Sequence, residues 1–227
     1  VTDRATICNM GAELGATTSI FPSDKNTLRY LSQHGRSEDY IELSADEEAE
    51  YDSEMLIDLS ELNPMVAQPH MPDNVVEVKS VEGLKLDQVA IGSCTNSSYM
   101  DMMKVVSILK AKTIHPDVSL VISPGSANIL RLLSENGGLS TLISAGARIL
   151  ESSCGPCIGM GQAPRSNGIS VRSFNRNFKG RSGTANAQVY LVSPETAAAS
   201  ALKGVLTDPS DLNIDFDIQE PESFGKV

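Results

Sequence analysis

From Asp87 onward, compact apolar runs rich in Val and Ile alternate with longer stretches whose apolar positions recur at helical spacing. The runs 88–92, 118–123, 147–150 and 169–174 read as strands, and 97–112, 126–135 and 139–145 as helices. This alternation predicts an α/β fold in which a parallel sheet is covered by helices. Ligands of such sheets gather beyond the carboxyl ends of the strands. Cys94 directly follows one predicted strand, the Cys154 loop another and Asn175 a third, so three strand ends deliver chemistry to one rim.

The N-terminal quarter is patterned differently. Its first segment reads as a helix in which Asn9 and Glu13 share one face and Gly11 and Gly15 another. Glycine inside a helix costs about 1 kcal/mol relative to Ala, so the pair predicts close backbone packing. The β-branched run 17–21 reads as a strand, and Pro22-Ser23-Asp24 as a turn capping a helix over 25–33. Residues 37–54 are acidic and weakly patterned; Asp46, Glu47, Glu48, Glu50, Asp52 and Glu54 read as a solvated linker. That linker divides a small α/β remnant, 1–54, from a main α/β domain, 55–227. Order resumes at 56–59, and the proline-spaced stretch 64–72 reads as an extended surface crossing. Pro124-Gly125-Ser126 reads as a turn with a helix cap, since it lacks the lysine and spacing of a phosphate loop. The alanine run 197–201 belongs to a helix begun by Ser193-Pro194-Glu195, and the tail beyond Leu206 reads as a linker.

Composition narrows the partners. With 227 residues and 41% hydrophobic content the chain can bury one core, or one core and a smaller lobe. No apolar run approaches the roughly 20 residues that span a bilayer. Eighteen basic against 29 acidic residues give a net charge of −11, which disfavours nucleic acid and anionic membranes. Any anion site therefore needs local cations. Arg176 and Arg181, in Asn175-Arg176-Asn177-Phe178-Lys179-Gly180-Arg181, are suited to that role, because a guanidinium fork binds a carboxylate through two charge-assisted hydrogen bonds.

Three cysteines carry the candidate metal chemistry: Cys94 in Gly92-Ser93-Cys94-Thr95-Asn96-Ser97, and the pair in Ser153-Cys154-Gly155-Pro156-Cys157-Ile158-Gly159. Each sits among small and turn-forming residues that let backbone N–H groups face an anion such as thiolate or sulfide. Three thiolates suit an iron–sulfur cluster with one iron not bound by cysteine. A Cys-x-x-Cys pair also occurs in zinc knuckles, redox dithiols and disulfides, and all three remain open on spacing alone. His34, His70 and His115 lie outside any pattern that completes a zinc site, and Cys8 reads as a small buried hydrophobe.

Four blocks occur in the order found in the aconitase family: Ile7-Cys8-Asn9-Met10-Gly11-Ala12-Glu13, Cys94-Thr95-Asn96-Ser97, Cys154-Gly155-Pro156-Cys157-Ile158-Gly159 and Asn175 through Arg181. The chain resembles the middle of a family member from Arg4 to about Thr207, without the family's first and last domains. The resemblance implies a 4Fe–4S cluster on Cys94, Cys154 and Cys157. It also implies that Glu13 and Asn9 are catalytic and that Asn175, Arg176 and Arg181 bind a small tricarboxylate. The implied reaction converts citrate to isocitrate through cis-aconitate. In the family the base is a serine of the last domain and an Asp-His pair comes from the first, so the chain alone is expected to be inactive. The expected location is the cytoplasm, or the mitochondrial matrix in a eukaryote.

The stretch Met10 through Pro22 resembles aconitate hydratases more than 3-isopropylmalate isomerase large subunits, which remain an alternative with homoaconitase. A non-catalytic, metal-stabilised binding module is the alternative of a different class. An RNA-binding role, known for some family relatives, is disfavoured by the net charge.

Overall fold

The computed structural model describes residues 1–225. Its sheet has seven strands: β1 Met65–Ala67, β2 Val75–Glu77, β3 Gln88–Gly92, β4 Ser119–Ser123, β5 Arg148–Ile149, β6 Ile169–Arg172 and β7 Gln188–Leu191, in the order β2-β1-β7-β6-β3-β4-β5. Strands β7, β6, β3, β4 and β5 run parallel; β1 lies antiparallel to β7, and β2 antiparallel to β1. After β3 the chain moves outward to β4 and β5, then returns to the other side of β3 to form β6. The topological switch point therefore lies between β3 and β6, where connections diverge and leave a crevice at the strands' carboxyl ends.

The two faces of the sheet are covered differently. Helices α3 Tyr99–Leu109, α4 Ala127–Glu135, α5 Gly138–Ser144 and α6 Pro194–Lys203 follow the expected positions. Val89, Ile91, Leu120, Ile122 and Val171 point into one core with Met102, Leu109, Leu142 and the alanines of α6. Small alanine side chains let α6 lie close over β3 and against α3.

The alternate residues of the same strands point the other way. There Ala90 and Val121 pack with Phe174, Leu150 and Cys157, so the irregular segment 150–168 covers this face. An irregular cover carries backbone carbonyls that need donors. The strands supply them: Arg172 Nη1 donates to Pro156 O at 2.7 Å, and Gln88 Nε2 to Ala163 O at 3.2 Å.

Upstream lie helices α1 Thr2–Gly11, continued by a 3-10 turn Ala12–Leu14, and α2 Lys25–Gln33. Asp24 caps α2 by accepting from Asn26 N and Thr27 N, and its carboxylate pairs with Arg4 at 2.5 Å, tying α2 to α1.

Several expectations are corrected. Residues 17–21 form no strand; Ile20 is 76% exposed, and a β-branched run without a partner edge gains no ladder hydrogen bonds. Gly15 makes no close packing contact; its φ of +84° ends the turn after α1, while at Gly11 an added Cβ would meet the Ser19 hydroxyl. Order does not resume at 56–59, where Leu56 is 96% exposed and a turn begins only at Leu59. The stretch 64–72 is no surface crossing, because Val66 and Ala67 are buried in β1. The segment beyond Leu206 begins packed: Thr207 and Asp208 are buried, and Leu212 and Ile214 rest on the main core. Cys8 is half-buried.

Candidate functional site

The site grows from the end of β3. Gly92 has φ +107°, and a Cβ there would strike the Ser123 carbonyl, so only glycine lets β3 and β4 approach this closely at their ends. Ser93 and Asn96 also adopt positive φ, +87° and +52°, which bends the chain sharply between β3 and α3. Asn96 holds the bend by donating to Ser173 O at 2.7 Å, beyond β6, and Ser98 with Asp101 forms the capping box of α3. Cys94 projects from this bend and is exposed.

The second pair is set by a short turn. Cys154 precedes the 3-10 turn Gly155–Ile158, with Pro156 fixing its start. Cys157 faces back toward the sheet and donates from Sγ to Ser93 Oγ at 3.0 Å. The loops from β3 and from β5 therefore meet at one hydrogen bond.

One cavity of about 150 Å³ is lined by Cys94, Cys154, Cys157, Asn9, Asn175, Arg176 and Arg181. Seven of the eight residues singled out in the sequence thus converge, and the eighth, Glu13, reaches the same place through an ion pair with Arg176 Nε. Asn175 donates to Asn9 Oδ1 at 2.7 Å, and Thr6 Oγ1 to Asn96 Oδ1 at 3.3 Å, fastening α1 to the rim. A larger cavity of about 470 Å³ lies across the Cys94 loop, beside Tyr30, Ser98 and Ser126, but neither Cys154 nor Cys157 lines it. The smaller cavity is the chemical one.

All four cysteines are free thiols. The Cys154 thiol is pushed up, first by Cys157, then by burial, then by Cys94, because three sulfurs gathered together resist ionising beside one another. Among the described residues no group of three or more His, Cys, Asp or Glu is arranged to hold a metal ion. A structural zinc site is closed by four ligands. Three thiols spaced around a common cavity fit a multi-iron group better than a single zinc.

The two arginines differ in state. Arg176 is engaged by Glu13, whereas the Arg181 Nε is buried without a hydrogen-bond partner, its guanidinium 5.6 Å from the Phe178 ring centre. Asn177, between them, is fully buried and donates to Gln68 O at 2.8 Å, anchoring the loop to the chain beyond β1. Ser93 and Asn96, inside the Cys94 motif, and Arg172 were not singled out as site residues; for Arg172 the one available signal was an arginine inside a predicted strand.

The model of the family described as "Aconitase family (aconitate hydratase)" matches residues 1–204. The chain belongs to the aconitase family. Among curated aconitase-family relatives, the 3-isopropylmalate dehydratase large subunit 2 of Archaeoglobus fulgidus is 42% identical over 212 residues, covering 93% of this chain and 51% of that protein. The large subunit 1 enzymes of Thermotoga maritima and Methanopyrus kandleri are 44% and 43% identical, each over 92% of this chain and 51% and 50% of their own length. The chain spans about half the length of the curated relatives it matches.

Proposed function

We propose that this aconitase-family chain is the cluster-binding part of a hydro-lyase, and that its substrate is 3-isopropylmalate or a closely similar branched hydroxy-dicarboxylate. The observation that carries the proposal is the convergence of three free thiols and two arginines on one cavity at the switch-point end of the sheet. The relatives named above favour the isopropylmalate alternative over the citrate reading suggested by Met10 through Pro22, and a tricarboxylic acid cycle role is dropped with it. Arg176 is paired with Glu13 through its Nε, and Arg181 makes no ion pair among the described residues, so Arg181 is the freer cation for a substrate carboxylate.

Cys94, Cys154 and Cys157 would hold a 4Fe–4S cluster. When bound, such a group supplies a Lewis acid for the departing hydroxyl through the iron that no cysteine holds. Arg181 orients a substrate carboxylate by charge-assisted hydrogen bonds. Arg176 fixes Glu13 at the cavity edge, and the Asn9–Asn175 pair holds α1 against the rim. The proton-accepting base comes from polypeptide outside these 227 residues, including a small subunit of the kind that the relatives' "large subunit" names imply. The chain alone is expected to bind substrate without turnover.

The test is a spectroscopic titration. On the anaerobically reconstituted chain, 3-isopropylmalate should perturb the electron paramagnetic resonance spectrum of the reduced cluster at lower concentration than citrate. The reverse order would restore the aconitate hydratase reading.

A further inference from the structure

Arg172 is the least expected residue in the sheet. It lies at the end of β6, is 0% exposed, and makes no ion pair with a carboxylate among the described residues. Its guanidinium donates four hydrogen bonds, all to neutral oxygens: Nε to Ser170 Oγ at 3.0 Å, Nη1 to Pro156 O at 2.7 Å, and Nη2 to Gln88 Oε1 at 2.7 Å and Gln162 O at 3.2 Å. Two of these acceptors, Pro156 and Gln162, bracket the turn that presents Cys157. The guanidinium carbon also sits 5.3 Å from the centre of the Phe174 ring, which packs with Cys157 and lines the cysteine cavity. Burial lowers its pKa to about 10, which still leaves it charged at neutral pH.

A permanently charged group buried without an anion is costly, so a fold that keeps one has an anion to set beside it. The nearby groups able to become anionic are the cavity thiols. We infer that Arg172 is a positioning residue that clamps the 156–162 turn, and that its buried charge offsets the thiolates of a cluster held by Cys94, Cys154 and Cys157. The second half rests on the cluster reading proposed above; the clamp does not. Cluster ligands are tuned by the outer groups that orient and charge-balance them.

Two variants of the full 227-residue chain separate these roles. Arg172→Met removes charge and clamp while keeping the apolar stem; Arg172→Lys keeps charge and loses the fork. In metal-free protein, hydrogen exchange of the 155–162 amides should accelerate about tenfold or more in both variants, with the amides of α3 and α6 unchanged. After reconstitution with iron and sulfide, chelator should strip both variants roughly tenfold faster than the parent. The cluster's reduction potential should fall in Arg172→Met and stay at the parent value in Arg172→Lys. Parent-like exchange in the turn overturns the clamp, and a parent-like potential in a folded Arg172→Met overturns the countercharge. If Arg172→Met does not fold, a potential in Arg172→Lys below the parent value overturns the countercharge. A parent chain that takes up no iron and sulfide refutes the cluster reading and the countercharge with it, while the exchange result still decides the clamp.

Discussion

Glu13 and Arg176 form an ion pair that joins the turn after α1 to the loop after β6. Glu13 is mostly buried, with 17% of its side chain exposed, and Arg176 is 42% exposed. Solvent screens the pair, so its coupling is that of a partly exposed bridge. A double-mutant cycle of Glu13→Gln and Arg176→Ala in urea is expected to give a coupling near 1 kcal/mol. Arg176→Ala should cost more than Glu13→Gln, because it leaves a carboxylate without its cation.

Arg181→Lys should leave the iron and sulfide content of the reconstituted chain unchanged. It should weaken 3-isopropylmalate binding about tenfold, since an ammonium cannot reproduce the bidentate fork. The spectroscopic titration described above reads both quantities on one sample.

Gly92→Ala should destabilise the chain by about 2 kcal/mol or more in urea unfolding, because φ +107° is unfavourable for alanine and the new Cβ meets the Ser123 carbonyl. Gly15→Ala, at φ +84° with no atom within 4 Å of the added Cβ, should cost about 1 kcal/mol. An equal cost for both would remove the role given to the close approach of β3 and β4.

Asp24 sets a pH dependence. The Arg4 guanidinium, then the Thr27 backbone N–H, hold its carboxyl at about 2, below the ordinary 3.8. A depressed carboxyl stabilises the fold above its unfolded value and loses that contribution as pH falls through the folded one. Asp24→Asn, which keeps the helix cap, should therefore be less stable than the parent above pH 4, with the difference closing between about 4 and 2. Thermal unfolding across that range checks it.

The helical side of the sheet was legible because Val89, Ile91, Leu120 and Ile122 alternate with residues facing away and are joined by helices of ordinary length. The strands β1, β2 and β7, three or four residues long, carry too few positions for a pattern, and neighbouring edges define them. The opposite error occurred at Thr17 to Phe21, where β-branched composition has no edge to pair with. At the site, cysteine spacing and the Asn175–Arg181 motif carried the residue identities. They could not carry the pairing of Glu13 with Arg176 in preference to Arg181, because α1 and the β6 loop are distant in sequence and meet only across the rim. The role of Arg172 was harder to read for a different reason: two of its four partners are carbonyls of an irregular loop, which no side-chain periodicity records.

The central claim is that Cys94, Cys154 and Cys157 hold an iron–sulfur cluster. Iron, acid-labile sulfide and zinc per chain after anaerobic reconstitution test it most directly, on the parent and on Cys154→Ser. The expected result is iron with a matching amount of sulfide in the parent and loss of both in the variant. Zinc without sulfide, or iron and sulfide unaffected by Cys154→Ser, would contradict it.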